Sequence, residues 1–213
     1  MKKKIISIDG PAGSGKGRIA RYLSKKWKLQ HIDSGILYRR LSFQLRKNNF
    51  EYENESKVKK YISKNPKISF RNHKKLRNEE ISLITSQIAS YKSVRDYINS
   101  LQQNFVLNHQ KSRGFVIDGR DIGSVVFKDN ADLKLYIEVD SKIRAKRRYK
   151  QLIEMGEKSI YQKILKDIIL RDRKDKQRKH SPLLVPKGSI VISNNLDFKT
   201  TCTEINNLIK EIL

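Results

Sequence analysis

The chain is short of cysteine and of acidic residues, and each shortage bears on the class of protein it is. Cys202 is the one cysteine in 213 residues, so no internal disulfide can form and a reducing compartment fits. Its neighbours Ile205, Leu208, Ile209 and Ile212 recur at helical spacing, so Cys202 reads as a small buried apolar side chain. The four histidines (His31, His73, His109 and His180) are scattered without ligand spacing, which argues against zinc. No apolar run approaches the roughly 18 residues that span a bilayer. The opening MKKKIISID is basic and then apolar, but Asp9 ends it too early for a signal peptide. The expectation is a cytoplasmic protein without membrane attachment.

Acidic residues number 22 against 47 lysines and arginines, a net charge of +25. Such a balance raises nucleic-acid or acidic-membrane binding as a hypothesis. An enzyme of anionic substrates with a lysine-rich surface fits the same charge. Hydrophobic residues make up 37% of the chain and charged ones 32%, so the core is lean. The length still suits one α/β domain with an inserted or mobile segment.

What is present is concentrated at the start. The apolar run Ile5-Ile6-Ser7-Ile8-Asp9 leads into Gly10-Pro11-Ala12-Gly13-Ser14-Gly15-Lys16-Gly17, followed by Ile19, Tyr22, Leu23 and Trp27 at helical spacing. Strand, glycine turn and helix in that order are the context a phosphate-binding loop requires. Glycines let backbone N–H groups close on an anion, and the helix adds the positive end of its dipole. Lys16 supplies a full charge for the β- and γ-phosphates. The pattern G-x-x-x-x-G-K-[ST] is met through Lys16 and then fails, because Gly17 stands where a hydroxyl is expected.

Further along, His31-Ile32 reads as a short strand before Asp33-Ser34-Gly35-Ile36-Leu37-Tyr38-Arg39, with Leu37, Leu41 and Leu45 on one helical face. From Lys47 to Lys75 the chain is polar and broken, with a helix at 55–63 and a small strand at 67–70. Helices at 79–89 and 94–108 follow. Strands are expected at 114–117, 133–139 and 189–192, a basic helix from Lys142, another through Ile160–Ile169, and a closing helix through Ile205 and Leu208. Strand and helix alternate, which argues for a mostly parallel sheet covered on both faces, with ligands at the carboxyl ends of the strands. Neither an internal repeat nor a second core is visible in the pattern.

The loops after successive strands carry Ser34, Tyr38 and Arg39, then Arg120 and Asp121. Hydroxyls, arginine forks and a carboxylate suit a second phosphorylated ligand facing the first. Arg171, Asp175 and Arg178 stand at i, i+4 and i+7 of one helix face, either as a solvated run of ion pairs or facing the site from a closing segment. The helix at 142–150 is equally a solvated face, a nucleic-acid patch or part of a lid.

The stretches IDGPAGSGKG (8–17), DSGILYR (33–39), SQIA with VR (86–89, 94–95), DGRDIGSVVF (118–127), RAKRRYKQL (144–152) and RDRKDKQRKHSPL (171–183) fall in one order over nearly the whole chain. In that order they resemble the bacterial cytidylate kinases, which phosphorylate CMP and dCMP from ATP. The resemblance implies an α/β fold of P-loop NTPase type. It has a parallel β-sheet flanked by helices, a small acceptor-nucleotide-binding insert at about 46–77 and a mobile lid at about 151–180. The core takes the rest, about 1–45, 78–150 and 181–213.

By position the resemblance assigns ATP to Gly10, Pro11, Ala12, Gly13, Ser14, Gly15, Lys16, Gly17 and Arg18, with Arg144 and Arg148 from the lid side. It assigns CMP to Ser34, Tyr38, Arg39, Ser86, Arg95, Arg120, Asp121, Arg171, Asp175 and Arg178. Ser86, Arg95 and Asp121 match the positions that recognise cytosine, and a carboxylate suits the N4 amino group that uracil lacks. By the same resemblance Lys16, Arg120, Arg178 and Arg147 would carry the charge stabilisation of transfer. No direct protein ligand is identified for a metal; Mg2+ is expected to arrive with ATP. The partners expected are ATP and CMP or dCMP, with no membrane, no nucleic acid and a monomeric enzyme.

Three departures stand out. Arg18 replaces the usual Thr, the stretch Arg71–Arg77 looks too short for a strand hairpin, and Val94-Arg95 lies a few residues farther from Gly114 than usual. The alternatives are a kinase of another small acceptor (UMP or AMP), a basic nucleic-acid-binding P-loop protein, or a kinase fold inactivated through Arg18.

Overall fold

The computed structural model describes residues 3–71, 76, 78–109, 112–154 and 156–212. The chain divides into two compact units, Met1–His31 with Ser112–Leu213, and Ile32–Lys111. The first unit is built on β1 (Lys4–Asp9), α1 (Lys16–Trp27), β3 (Gly114–Asp118), β4 (Leu133–Glu138), α6 (Ser141–Glu154), α7 (Tyr161–Gln177), β5 (Ile190–Ser193) and α8 (Phe198–Lys210). The strand β2 (Gln30–Asp33) straddles the division.

The sheet runs in the order β2-β3-β1-β4-β5. β1 pairs in parallel with β3 from Lys4↔Gly114 to Ile8↔Asp118 and with β4 from Ile6↔Leu133 to Asp9↔Tyr136. β4 pairs in parallel with β5 from Leu135↔Ile190 to Glu138↔Ser193. The carboxyl ends of these strands therefore share one edge, where open α/β sheets take their ligands. β3 is buried at every residue and β1 at all but its first, as continuous apolar strands covered on both faces should be. Ile19, Ala20 and Leu23 of α1 and Ile205 and Ile209 of α8 pack with β1, β3 and β4 in one apolar cluster. Cys202 is buried, as its helical neighbours imply.

The second unit holds α2 (Ser34–Lys47), α3 (Glu55–Ile62), α4 (Glu79–Ile88) and α5 (Lys92–Asn108). Asn54 and Asn78 cap α3 and α4 by accepting from Lys57 N and Ile81 N. Leu37, Leu41, Leu45, Val58, Ile84, Val94 and Ile98 form a second apolar cluster, which the sequence pattern did not reveal. Each helix here buries a stripe of a few residues, and a stripe does not say which other helices it meets. Because α2, α4 and α5 share that cluster with α3, this unit extends well beyond 46–77.

The strand expected at 67–70 does not form; residues 65–70 are irregular. Their carbonyls are taken by side chains instead: Gln44 donates to Lys67 O (2.9 Å) and the Tyr97 hydroxyl to Pro66 O (2.6 Å). Phe70 is anchored by stacking on Phe105 at 4.1 Å. Most of the Arg71–Arg77 stretch, which looks too short for a strand hairpin, lies outside the described residues. The long helix expected before Gly114 is present as α5, with 17 residues.

Past β3 the chain makes a five-residue π-helical turn, Ile122–Val126. Asp9, fully buried at the end of β1, accepts from Ile122 N (2.9 Å) and Gly123 N (2.7 Å) of that turn. The close approach needs a glycine, since a Cβ on Gly123 would lie 2.6 Å from Ser7 Oγ. Burial pushes the Asp9 carboxyl up to about 7 despite these two amides, with Asp121 adding to the rise and Lys16 opposing it.

Three outcomes follow for stability. Leu23→Ala, at a fully buried site, should lower the unfolding free energy in urea by roughly 2–5 kcal/mol. Leu107→Ala, at a site 68% exposed, should change it by about 0.5 kcal/mol or less. Because the folded Asp9 pKa lies above its unfolded value of 3.8, the fold holds an extra proton between about 4 and 7. Asp9's contribution is therefore most favourable below that window and declines as pH rises to 7. Urea titrations of the parent and Asp9→Asn should show the parent losing stability relative to the variant between pH 5 and 7, and a constant difference above 8.

Candidate active site

The turn from β1 to α1 has the conformation a phosphate cradle needs. Gly15 caps α1 in the left-handed region (φ 86°), and Ile19 N and Arg18 N both donate to its carbonyl. Gly10 (φ 151°) passes so close to β4 that a Cβ there would sit 2.4 Å from Ile137 O. Lys16 is 8% exposed, and its Nζ donates to Pro11 O (3.1 Å), which folds the ammonium back over the turn. Ser14 Oγ is buried with no hydrogen-bond partner.

Neighbouring elements clamp this turn. Asn194, just past β5, donates from Nδ2 to Ser14 O (2.8 Å) and accepts from Thr201 Oγ1 (3.0 Å). Arg144 of α6, 4% exposed, donates to Ala12 O (3.1 Å) and Val139 O (3.0 Å), and forks onto Asp172 of α7 at 3.0 and 2.5 Å. Arg147 donates to Asn194 O (2.9 Å) and Leu196 O (3.1 Å), fixing the turn before α8. Arg148 is exposed and donates to Gln151 Oε1. Of the basic helix, Arg144 thus grips the phosphate turn itself, Arg147 the adjoining turn, and Arg148 a surface glutamine.

Asp118, the last residue of β3, is the carboxylate the sequence reading passed over together with Asp9. Its Oδ2 lies 3.4 Å from where a Cβ on Gly17 would be, and its Oδ1 is 2.6 Å from His31 Nε2. The missing hydroxyl after Lys16 is therefore matched by an acidic group on the neighbouring strand. An aspartate ending each of two buried strands, Ile8-Asp9 and Ile117-Asp118, was the available signal. Among the described residues no group of three or more His, Cys, Asp or Glu could cage a metal. The oxygen donors present fit Mg2+, which keeps its waters and is held by phosphates and one or two carboxylates.

A second cluster forms around Asp175. It accepts from Arg120 Nε (3.1 Å) and Arg178 Nη1 (3.4 Å). Burial raises the Asp175 carboxyl, but Arg120, Arg178 and Arg171 outweigh it and hold the group below the usual carboxylate range. Burial and then the Arg120 charge pull Arg171 below the usual guanidinium range, and its Nε has no hydrogen-bond partner. The helix face predicted for 171, 175 and 178 needs one correction. α7 ends at Gln177 and Arg178 is extended (φ −64°, ψ 143°), so Arg178 reaches Asp175 by folding back rather than by helical spacing. The Arg178 side chain is fixed there by Ser181 O at 2.5 Å. Asp121 is 3% exposed at the start of the π-helical turn.

In the second unit, Ser34 (3%), Tyr38 (7%) and Arg95 (3%) are buried polar groups. Arg95 donates from Nε to Ala89 O (2.7 Å), and its guanidinium lies 5.7 Å from the Tyr38 ring centroid. Arg39 donates from Nη1 to Leu76 O (3.1 Å) and Ser82 Oγ (2.9 Å), and Ser86 is partly buried on α4. The structure thus groups Ser34, Tyr38, Arg39, Ser86 and Arg95 in Ile32–Lys111, and Lys16, Arg120, Asp121, Arg171, Asp175 and Arg178 in the other unit.

The family model "Cytidylate kinase" matches residues 6–211. A cytidylate kinase of Rickettsia felis is 40% identical over 209 residues, covering 98% of this chain and 92% of the relative. One of Rickettsia akari is 39% identical over 210 residues, covering 98% and 93%. Two solved structures share the fold alone: an uncharacterized protein of Eubacterium ventriosum (TM-score 0.53, 18% identity, 99% of each chain) and TT1252 of Thermus thermophilus (TM-score 0.51, 14% identity, 100% of each chain). A family match from residue 6 to 211, on a chain whose β1–α1 turn is built to hold phosphate, places this protein in the cytidylate kinase family.

Proposed function

We propose that this chain transfers the γ-phosphoryl group of ATP to CMP or dCMP, yielding CDP or dCDP. The observation that carries the reading is Lys16, buried and folded over a glycine turn inside a cytidylate kinase match that covers nearly the whole chain. The turn amides and the N-terminus of α1 take the ATP phosphates, and Lys16 takes the β- and γ-phosphates. Mg2+, when bound with ATP, neutralises charge on the phosphate oxygens; Asp118 and Asp9 are the carboxylates suited to hold its waters.

The acceptor roles divide by unit. In Ile32–Lys111, Arg39 grips the CMP phosphate while Ser34, Tyr38, Ser86 and Arg95 hold the nucleoside. In the other unit, Asp121 accepts from the cytosine N4 amino group, and Arg120 and Arg178 neutralise the transferring phosphoryl. Arg171 and Asp175 hold the sugar. Three arginines around the one Asp175 carboxylate leave an excess of positive charge, which an incoming phosphate relieves. The acceptor phosphate oxygen attacks the γ-phosphorus in line and ADP leaves, with no covalent intermediate on the protein. Catalysis is positioning and charge stabilisation.

α7 is the segment suited to act as a lid. None of its residues belongs to either apolar cluster, and Ile169 and Leu170 are 49% and 46% exposed. A helix with so little buried apolar surface opens locally at small cost. The single cysteine fits a reducing cytoplasm, and we take the enzyme to act there as a monomer.

Three measurements test the reading. With MgATP, ADP release should be fastest with CMP and dCMP and at least tenfold slower with UMP or AMP. Asp121→Asn should narrow the CMP-over-UMP preference by roughly 10–100-fold in kcat/KM, the range for losing one buried polar discrimination; an unchanged preference would remove Asp121 from cytosine recognition. Amides of 161–177 should exchange faster than those of α1 in the free protein and slow when both substrates are bound; identical exchange in both states would rule out the lid.

A further inference from the structure

Arg18 is the residue of the phosphate turn whose own chemistry the motif leaves unused. Resemblance puts a threonine there, and a hydroxyl can only hydrogen-bond. The arginine instead lays its guanidinium over the Phe198 ring, 3.9 Å from Cζ to centroid, while its side chain stays exposed. One face of the planar cation is covered by Phe198.

The support beneath it is firm. Phe198 begins α8, packs against the main core, and receives Tyr22 edge-on at 5.8 Å and 80°. Asp197 caps α8 by accepting from Lys199 N (2.8 Å) and Thr200 N (3.0 Å). The preceding turn is tied to the phosphate loop by Asn194 and to α6 by Arg147. Arg18 is therefore held on a braced aromatic ring two residues beyond Lys16.

A P-loop aligns the triphosphate with its γ end at the lysine and its α end toward the first turn of the helix, so the nucleoside departs on the helix side. Arg18 is exposed in that first turn of α1. We propose that Arg18, backed by Phe198, is the stacking platform for the purine base of the phosphate donor. The inference rests on the kinase reading above and adds which part of the donor this chain's unusual residue recognises. A guanidinium stacks on aromatic faces where an ammonium cannot match its planar area. Holding it in advance on Phe198 reduces the ordering cost when the base arrives. The base does not change during transfer, so the contact lowers KM for the donor rather than raising kcat.

The test is calorimetric titration of MgATP and MgUTP, without acceptor, into the parent, Arg18→Ala and Arg18→Lys, with steady-state turnover of CMP by both donors alongside. Loss of a base stack predicts that Arg18→Ala weakens ATP binding about tenfold and UTP binding threefold or less, with KM for ATP rising in step and kcat within about twofold. Arg18→Lys should resemble Arg18→Ala toward ATP. Equal losses for ATP and UTP, or full recovery by Arg18→Lys, would assign Arg18 to phosphate charge and overturn the proposal, as would no change in either variant. Thermal midpoints within about 2 °C of the parent exclude misfolding, since Arg18 is exposed. A parent that binds ATP but never phosphorylates CMP would sink the kinase reading, while the ATP-against-UTP contrast would still judge Arg18.

Discussion

The turn between β1 and α1 must run within van der Waals reach of β4, and much of the first unit serves that constraint. Gly10 can pass Ile137 O only because it has no Cβ. A turn so short of side chains cannot hold itself in place, so its carbonyls are fastened from outside. Asn194 takes Ser14 O, Arg144 takes Ala12 O, and Lys16 takes Pro11 O. The same fasteners reach other elements: Arg144 continues to Asp172 of α7, and Asn194 to Thr201 of α8. The turn and α7 are thereby joined through one buried arginine.

Charge is arranged around the turn with a purpose that bulk composition hides. A net +25 describes a surface, but the electrostatic work is done by a few buried groups. Burial raises the Asp9 carboxyl to about 7, and two amides of the π-helical turn brace it. Asp175 is the opposite case, kept ionised by three arginines despite burial. One carboxyl titrates near the physiological range and the other stays far below it. The contrast comes from what surrounds each group: a strand interior for Asp9 and a guanidinium cluster for Asp175. Basic residues that looked interchangeable in the sequence do different jobs once placed. Arg144 braces the turn, Arg147 braces the start of α8, and Arg120 and Arg178 share one carboxylate.

The sequence by itself determined the parts governed by local rules. Gly10, Gly15 and Lys16 follow from the backbone geometry of a phosphate turn, and β1, β3 and β4 from runs of apolar residues long enough for buried strands and nothing else. α1, α2, α5 and α8 follow from 3.6-residue periodicity. The tertiary structure decided what depends on which chain segments meet. The stretch 67–70 has strand-like residues but forms no strand; Gln44 takes Lys67 O, and Tyr97 takes Pro66 O beside it. The second core required knowing that α2, α3, α4 and α5 turn their stripes toward one another. Asp9 and Asp118 gained their environments only when parallel pairing put Ile8 beside Asp118 at the ligand edge of the sheet. Arg18 found Phe198 across 180 residues of chain, a contact set by α1 and α8 packing on the same core. Periodicity reports which way a side chain faces along its own element. What it faces is a matter of long-range packing, and there the sequence falls silent.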